Sequence, residues 1–242
     1  MLYSGFAYLY DSLMTNIPYS AWVTYIDNML LKHLGRERTG NIILDMACGT
    51  GNITIPLAKL GYDMIGVDIS VDMLAQAQAK LDGKQVLFLA QDIRKLDLYG
   101  TIDAAICTCD SLNYMLDKTD LETIFKRVKM FLNPGGVFIF DMKTEYTFKD
   151  VLGNNTFTAK VESVSYEWEN NFDTGTGINE YRVAFKQGAD EPFVEVHHQR
   201  AYEVDVVCGL LKAAGFSIVD VKDGYSTNLY TPKSTRVVFV AL

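Results

Sequence analysis

The chain has 242 residues, 49% of them hydrophobic and 21% charged, with a formal net charge of −8; that length suits one sizeable core better than two full domains. No stretch of about 18 or more residues is uninterruptedly apolar, which argues against a transmembrane helix. The negative balance argues against nucleic acid as a partner, because non-specific affinity for phosphate backbones rests on clustered Lys and Arg.

The opening "MLYSGFAYLYDSLM" lacks a basic leader and carries Asp11 among its apolar residues, so it does not read as a signal peptide and a cytoplasmic location is expected. Residues 4–14 and 20–34 are predicted as two helices rich in Tyr and Trp, making an N-terminal cap over 1–36. The runs 41–46, 62–69, 85–90, 102–109 and 135–142 are short and almost continuously apolar, as strands buried on both faces are. Between them, "NITIPLAKLG", "SVDMLAQAQAKLDG" and "KTDLETIFKRVKMFLNPGG" are predicted as helices, with Ser70 and Thr119 as N-caps, and "DIRKLDL" as a short turn.

Residues 155–202 change character. Alternating segments separated by "DTGTG" and "QGADE" predict three antiparallel strands inserted after the fifth core strand. A helix, "EVDVVCGLLKAAGF", then leads to two closing strands, "FSIVDVKDG" and "TRVVFVAL". The expected architecture is one α/β domain over 1–242, a Rossmann-like, seven-stranded, mostly parallel, doubly wound sheet with a small antiparallel β insertion. Cys48, Cys107, Cys109 and Cys208 form no C-x-x-C pair, so neither a metal site nor a disulfide framework is expected.

The segment "ILDMACGTGN" ends the first strand at Asp45 and bends through Gly49 and Gly51 into a helix. Ligands bind at that edge of open α/β sheets. Asp68, at the end of the second strand in "VDIS", suits the two hydroxyls of a ribose. The dinucleotide fingerprint is broken, because Thr54 stands where a third glycine belongs, which disfavours an NAD enzyme. A helix N-terminus beside a carboxylate suits the ammonium and carboxylate of an amino acid, and an amino acid joined to a nucleoside is S-adenosylmethionine.

"LDMACGTGN", "GVDIS", "AQDIRKL" and "LNPGG" before "FDM" together resemble the class I S-adenosylmethionine-dependent methyltransferases, and "FAYLYDSLM" with "HHQRAYE" resembles a small bacterial group of them with an antiparallel insertion. The resemblance implies that Ala47, Gly49 and Gly51 line the methionine part of the cofactor, and that Asp45 helps hold its ammonium. It implies Asp68 at the ribose, Ile69, Met73 and Ile93 near the adenine, and Asp92 at the adenine amino group. The family commonly has glycine in the place of Met46 or Ala47, and Ala47 departs from it.

Catalytic candidates are Asp110 and His198. Asp110, Asn113 and Tyr114 follow the fourth strand, where no [ND]-P-P-[YF] motif occurs, which argues against DNA adenine methylation. His197 and His198 point to opposite faces of an inserted strand, with His198, Arg200 and Tyr202 expected on the inner face alongside Val194 and Val196. Among Tyr3, Tyr8, Tyr10, Tyr19 and Trp22 of the N-terminal helices, Tyr10 and Trp22 are the expected contacts to cofactor or substrate. The expected activity is methyl transfer to nitrogen or oxygen of a small-molecule acceptor beneath a lid formed by the insertion. The alternatives are an RNA or protein methyltransferase and a noncatalytic module that binds the cofactor.

Overall fold

The computed structural model describes residues 4–35, 37–83, 85–161, 164–187 and 193–242. Its strands in chain order are β1 Ile42–Met46, β2 Asp63–Asp68, β3 Val86–Ala90, β4 Ile102–Cys107, β5 Leu132–Lys143, β6 Thr156–Val161, β7 Val164–Asp173, β8 Ile178–Gln187, β9 Phe193–Arg200, β10 Ile218–Asp223 and β11 Arg236–Ala241. The helices are α1 Ser4–Leu13, α2 Tyr19–Leu34, α3 Thr54–Leu60, α4 Val71–Ala79, α5 Lys118–Phe131 and α6 Val204–Ala213. None of these is long and apolar enough to cross a membrane.

Seven strands form one sheet in the order β10-β11-β5-β4-β1-β2-β3. The five from β3 to β5 are parallel, while β11 runs antiparallel to β5 and β10 antiparallel to β11. The expected mostly parallel sheet is therefore present. Strand order reverses between β1 and β4, which opens a crevice at their carboxyl ends.

Alternation along each strand divides the core between two faces. Leu44, Phe138, Phe140 and Phe239 turn toward α5 and α6, whereas Ile43, Ile106 and Ile139 turn toward α2 and α3, and all seven are fully buried. Continuous apolar runs are what a sheet covered on both sides requires. The first face is built around aromatic contacts: Phe140 stacks on Phe239 at 4.8 Å and lies 4.7 Å from Phe138 and 5.4 Å from Phe125 between ring centres.

The number of inserted strands and one helix cap depart from the expectation. The insertion has four strands, not three, in the order β6-β7-β8-β9; the first predicted strand folds back on itself, with Val161 opposite Val164. Of the predicted "QGADE" turn, 188–191 lie outside the described residues, as does Tyr3, and so does the side chain of Tyr8. Thr119 is not an N-cap, since α5 already starts at Lys118 after Asp117, whereas Ser70 does accept from the Met73 N–H at 3.3 Å. Cys109 lies beyond the end of β4, in a left-handed turn.

Replacing Phe140 by Ala removes a ring from the centre of the aromatic face. The expected loss is about 3–5 kcal/mol, read as a lower denaturation midpoint at unchanged m-value. A loss below about 1 kcal/mol would show that the cluster is not the keystone of that face.

Candidate functional site

At the carboxyl end of β1 the chain turns through three left-handed residues, Ala47 (φ 55°), Gly49 (φ 53°) and Gly51 (φ 77°). The two glycines serve different ends. A Cβ on Gly49 would meet nothing within 4 Å, because that position opens onto a cavity. A Cβ on Gly51 would come within 3.0 Å of Ile55 and 3.3 Å of Ala77, so Gly51 lets α3 and α4 close on the turn. Asp68 fastens the turn to the end of β2: one carboxylate oxygen accepts from the Gly49 N–H and the other from the Ser70 N–H, both at 2.8 Å.

Thr54 explains the missing third glycine. Its hydroxyl donates to Asp45 at 2.5 Å, and Asp45 is 1% exposed beneath the turn. The other carboxylate oxygen of Asp45 has no hydrogen-bond partner among the described residues. Burial pushes the Asp45 carboxyl up to about 7, against the pull of the Thr54 hydroxyl and with added repulsion from Asp68.

The cavity beyond this turn has a volume of about 820 Å³. Ala47, Gly49, Asp68, Ile69, Met73, Asp92 and Ile93 line one end, so seven of the residues singled out in the sequence converge there. Asp92 is already engaged by the Arg94 guanidinium at 2.6 Å, which lowers its pKa. Helix α1 closes over this end. Asp11 accepts from Thr50 at 2.7 Å, from Asn52 at 2.8 Å and from Lys80 at 2.8 Å, and the next residue back, Tyr10, lines the cavity.

Trp22 does not line the cavity. It is 7% exposed against the sheet, stacked on Tyr225 at 4.3 Å with the Arg236 guanidinium 5.0 Å from its ring centre. An apolar stripe on a helix looks the same in sequence whether it meets a sheet or a ligand, and here it meets the sheet.

The opposite end is organised by Asp141 on β5. This fully buried carboxylate accepts from the backbone N–H groups of Cys109 (3.0 Å) and Asp110 (2.7 Å), and from the Tyr225 hydroxyl and the Arg236 guanidinium. Cys109 and Asp110 both take left-handed φ, 58° and 54°, which the two bonds to Asp141 hold in place. The Asp110 carboxylate then receives Arg236 at 2.7 Å, Lys143 at 3.0 Å and Gln199 at 2.8 Å. Burial alone would raise this carboxyl; Lys143 and Arg236 outweigh it and hold it at about 2. Asp110 is therefore ionised and saturated with donors, and the geometry gives it no capacity to act as a base near neutral pH.

His198 is likewise not where the sequence reading put it. It is exposed and pairs with Glu180 at 2.9 Å, outside the cavity. The inward residues of β9 are Glu195, His197 and Gln199, and Val196 is 51% exposed. The two valines suggested the wrong face; the register is fixed instead by Gln199 reaching Asp110. Arg200 and Tyr202 donate to the backbone oxygens of Leu116 (2.7 Å) and Met115 (2.6 Å). Asn113 is fully buried and bonds the backbone of Lys143 and Arg200, while the Tyr114 hydroxyl meets that of Tyr181 at the cavity wall.

Lys143, Arg236, Trp168 and Tyr181 line the cavity without having been singled out in the sequence. All four cysteines are free, and no metal-holding cluster occurs among the described residues.

Residues 43–136 match a family described as a methyltransferase domain. The chain is 36% identical to a Bacillus subtilis (strain 168) protein named "Putative methyltransferase YqeM", across 100% of this chain and 97% of that one. It superposes on the crystal structure of an S-adenosylmethionine-dependent methyltransferase from Clostridium acetobutylicum ATCC 824 with a TM-score of 0.88 at 33% identity, covering 99% and 98% of the two chains. The sugar N-methyltransferase KedS8 from Streptoalloteichus sp ATCC 53650 shares the fold, with a TM-score of 0.78 at 22% identity over 96% and 92%.

The raised carboxyl of Asp45 carries a sign that can be checked. A carboxyl raised on folding favours the folded state fully below its unfolded value, about 3.9, and this advantage is lost as pH climbs through about 7. Relative to wild type, Asp45→Asn is therefore expected to gain stability between about pH 4 and 8, by up to about 4 kcal/mol. Paired denaturant melts across that range measure it; a pH-independent difference would refute the assignment.

Proposed function

Because the chain belongs to the S-adenosylmethionine-dependent methyltransferases, we propose that it methylates a nitrogen or oxygen of a small-molecule acceptor held between the glycine turn and the four-stranded insertion. The observation that carries this reading is a continuous cavity of about 820 Å³ bounded by both. Cavities of this size hold small molecules and bury most of their surface.

The residues at the glycine turn fit the cofactor. The unpaired buried oxygen of Asp45 and the open space over Gly49 are features that a ligand with a cationic amino acid end would satisfy. Ala47 and Gly49 would hold that end, with Asp45 beneath the turn, and Asp68 the ribose hydroxyls, with Ile69, Met73, Asp92 and Ile93 at the adenine and Tyr10 covering; Gly51, packed against Ile55 and Ala77, does not line the cavity and would act only by shaping the turn. Trp22 would act only through Arg236. When bound, S-adenosylmethionine supplies a methyl group already activated by its sulfonium.

What remains for the protein is to align the acceptor and keep water out, and alignment alone can supply effective molarities of about 10⁵–10⁸ M. Tyr10 and Tyr19 from the N-terminal helices, Tyr114, and the rings on the insertion provide that enclosure. Lys143 and Arg236, the cations at the acceptor end, are already tied to Asp110 and Asp141, which supports a small acceptor over a polyanion. A small acceptor is also compatible with the name of KedS8, a sugar N-methyltransferase.

Two measurements test the reading. S-adenosylhomocysteine at about a hundredfold excess over its dissociation constant should add about 2.7 kcal/mol, or about 5–10 °C in melting temperature; NAD should add nothing, and Asp68→Ala should lose the shift. With methyl-labelled cofactor and a cell extract, label should accumulate in the small-molecule filtrate. Label confined to RNA or protein would overturn the acceptor class, and a shift with NAD alone would overturn the site.

A further inference from the structure

The inner face of the insertion carries a carboxylate and an imidazole that cofactor binding does not use. Glu195 is 6% exposed. One of its oxygens lies 2.9 Å from His197 Nε2, and the other is buried with no hydrogen-bond partner among the described residues. His197 lines the cavity, its ring stacked on Tyr181 at 4.8 Å and edge-on to Tyr114 at 6.0 Å. The rest of this wall is aromatic or aliphatic, with Tyr166, Trp168 and Phe185, and among the described residues none that the insertion contributes to the cavity lining is Lys or Arg.

A buried carboxylate is costly unless its charge is compensated. Asp110 is matched by Lys143 and Arg236, whereas among the described residues the Glu195 carboxylate has His197 as its partner. Such a pair is a receptacle for one proton: once His197 is protonated, the wall holds a neutral, hydrogen-bonded ion pair.

We propose that the acceptor is a basic amine and that His197, oriented by Glu195, takes the proton its ammonium form must lose before the nitrogen can attack. This rests on the small-molecule methyl-transfer reading above and narrows it. In the step, an N–H bond of the ammonium breaks, its electron pair stays on nitrogen, and the proton goes to the imidazole, where the Glu195 charge stabilises it. The freed lone pair then forms the new N–C bond. General bases placed in this way contribute about 10²–10⁴-fold.

Other acceptor classes fit this wall less well. A carboxylate would face the Glu195 charge, and an aliphatic hydroxyl is too weak an acid to pass its proton to an imidazole before attack. Asp110, Cys109 and the tyrosines at this end of the cavity are poor proton acceptors near neutral pH. Asp110 is held at about 2, and burial pushes the Cys109 thiol up to about 12. Burial likewise keeps Tyr10 and Tyr181 protonated. Among the described residues, His197 is faced by Glu195 on its own strand, Tyr181 on β8 and Tyr114 after β4, with Asp110 and Tyr10 next beyond, through Tyr181.

The chain has three histidines, so imidazole protonation can be read one residue at a time by ¹⁵N NMR, with His197→Gln and His198→Gln as assignment variants. The probes are 2-phenylethylamine, 2-phenylethanol and phenylacetate, added to protein saturated with S-adenosylhomocysteine. The amine should bind about tenfold or more tightly than the alcohol or the acid and turn His197 into its imidazolium form, leaving His198 unchanged. Glu195→Gln should keep the S-adenosylhomocysteine melting shift, which shows that it is folded, yet form about tenfold less imidazolium on adding the amine. An amine that binds no better than the alcohol, or not at all, overturns the proposal, as does a His197 indifferent to amine or to Glu195→Gln. Protein that fails to bind S-adenosylhomocysteine defeats the underlying methyltransferase site and this proposal together; retained binding with an indifferent His197 defeats this proposal alone.

Discussion

The site depends on one buried carboxylate, that of Asp141. It sits inside the sheet on β5 and gathers two backbone N–H groups, a tyrosine hydroxyl and a guanidinium. Those bonds hold Cys109 and Asp110 in a conformation that non-glycine residues avoid. Asp110 in turn receives Arg236, Lys143 and, across the cavity, Gln199 of the insertion. The small antiparallel sheet is thus tied to the large one through a chain of charges that begins at Asp141. Removing a single partner would strand a buried charge, a loss of about 3–5 kcal/mol.

This network keeps charge out of the cavity's balance. Two carboxylates and two cations cancel, so the network itself adds no net charge to that end of the cavity although the chain as a whole carries −8. Overall acidity therefore says little about the acceptor; the inner face of β9 says more. On the cofactor side the logic differs. There Asp45 is raised and Asp68 is satisfied by backbone N–H groups rather than by cations, a setting in which an incoming cationic group is the natural counterion.

How much of this was legible in the sequence depended on distance along the chain. The strands and the glycine turn are local signals: continuous apolar runs mark a doubly covered sheet, and "VDIS" sets Asp68 beside Gly49. The face of β9 is not local. Period-2 alternation left two choices, and Val194 and Val196 suggested the wrong one, because the choice is made by Gln199 meeting a residue 89 positions away. Trp22 failed for a related reason: its partners Tyr225 and Arg236 lie near the other end of the sequence. The fold-back between β6 and β7 was missed because residues 162 and 163 carry no glycine or proline to mark a turn.

Helix α1 is fastened quite differently from the layers below it. Its hold on the glycine turn runs through Asp11, whose partners Lys80 and Asn52 are themselves partly exposed. Ion pairs of this kind contribute up to about 1 kcal/mol and weaken as salt screens them. The floor of the proposed cofactor site is therefore rigid and its roof light, so ionic strength acts on the two unequally. Salt loosens the roof while leaving the Asp141 network shielded, which makes the traffic of ligands past α1, rather than the shape of the site, the quantity that responds to the ionic surroundings.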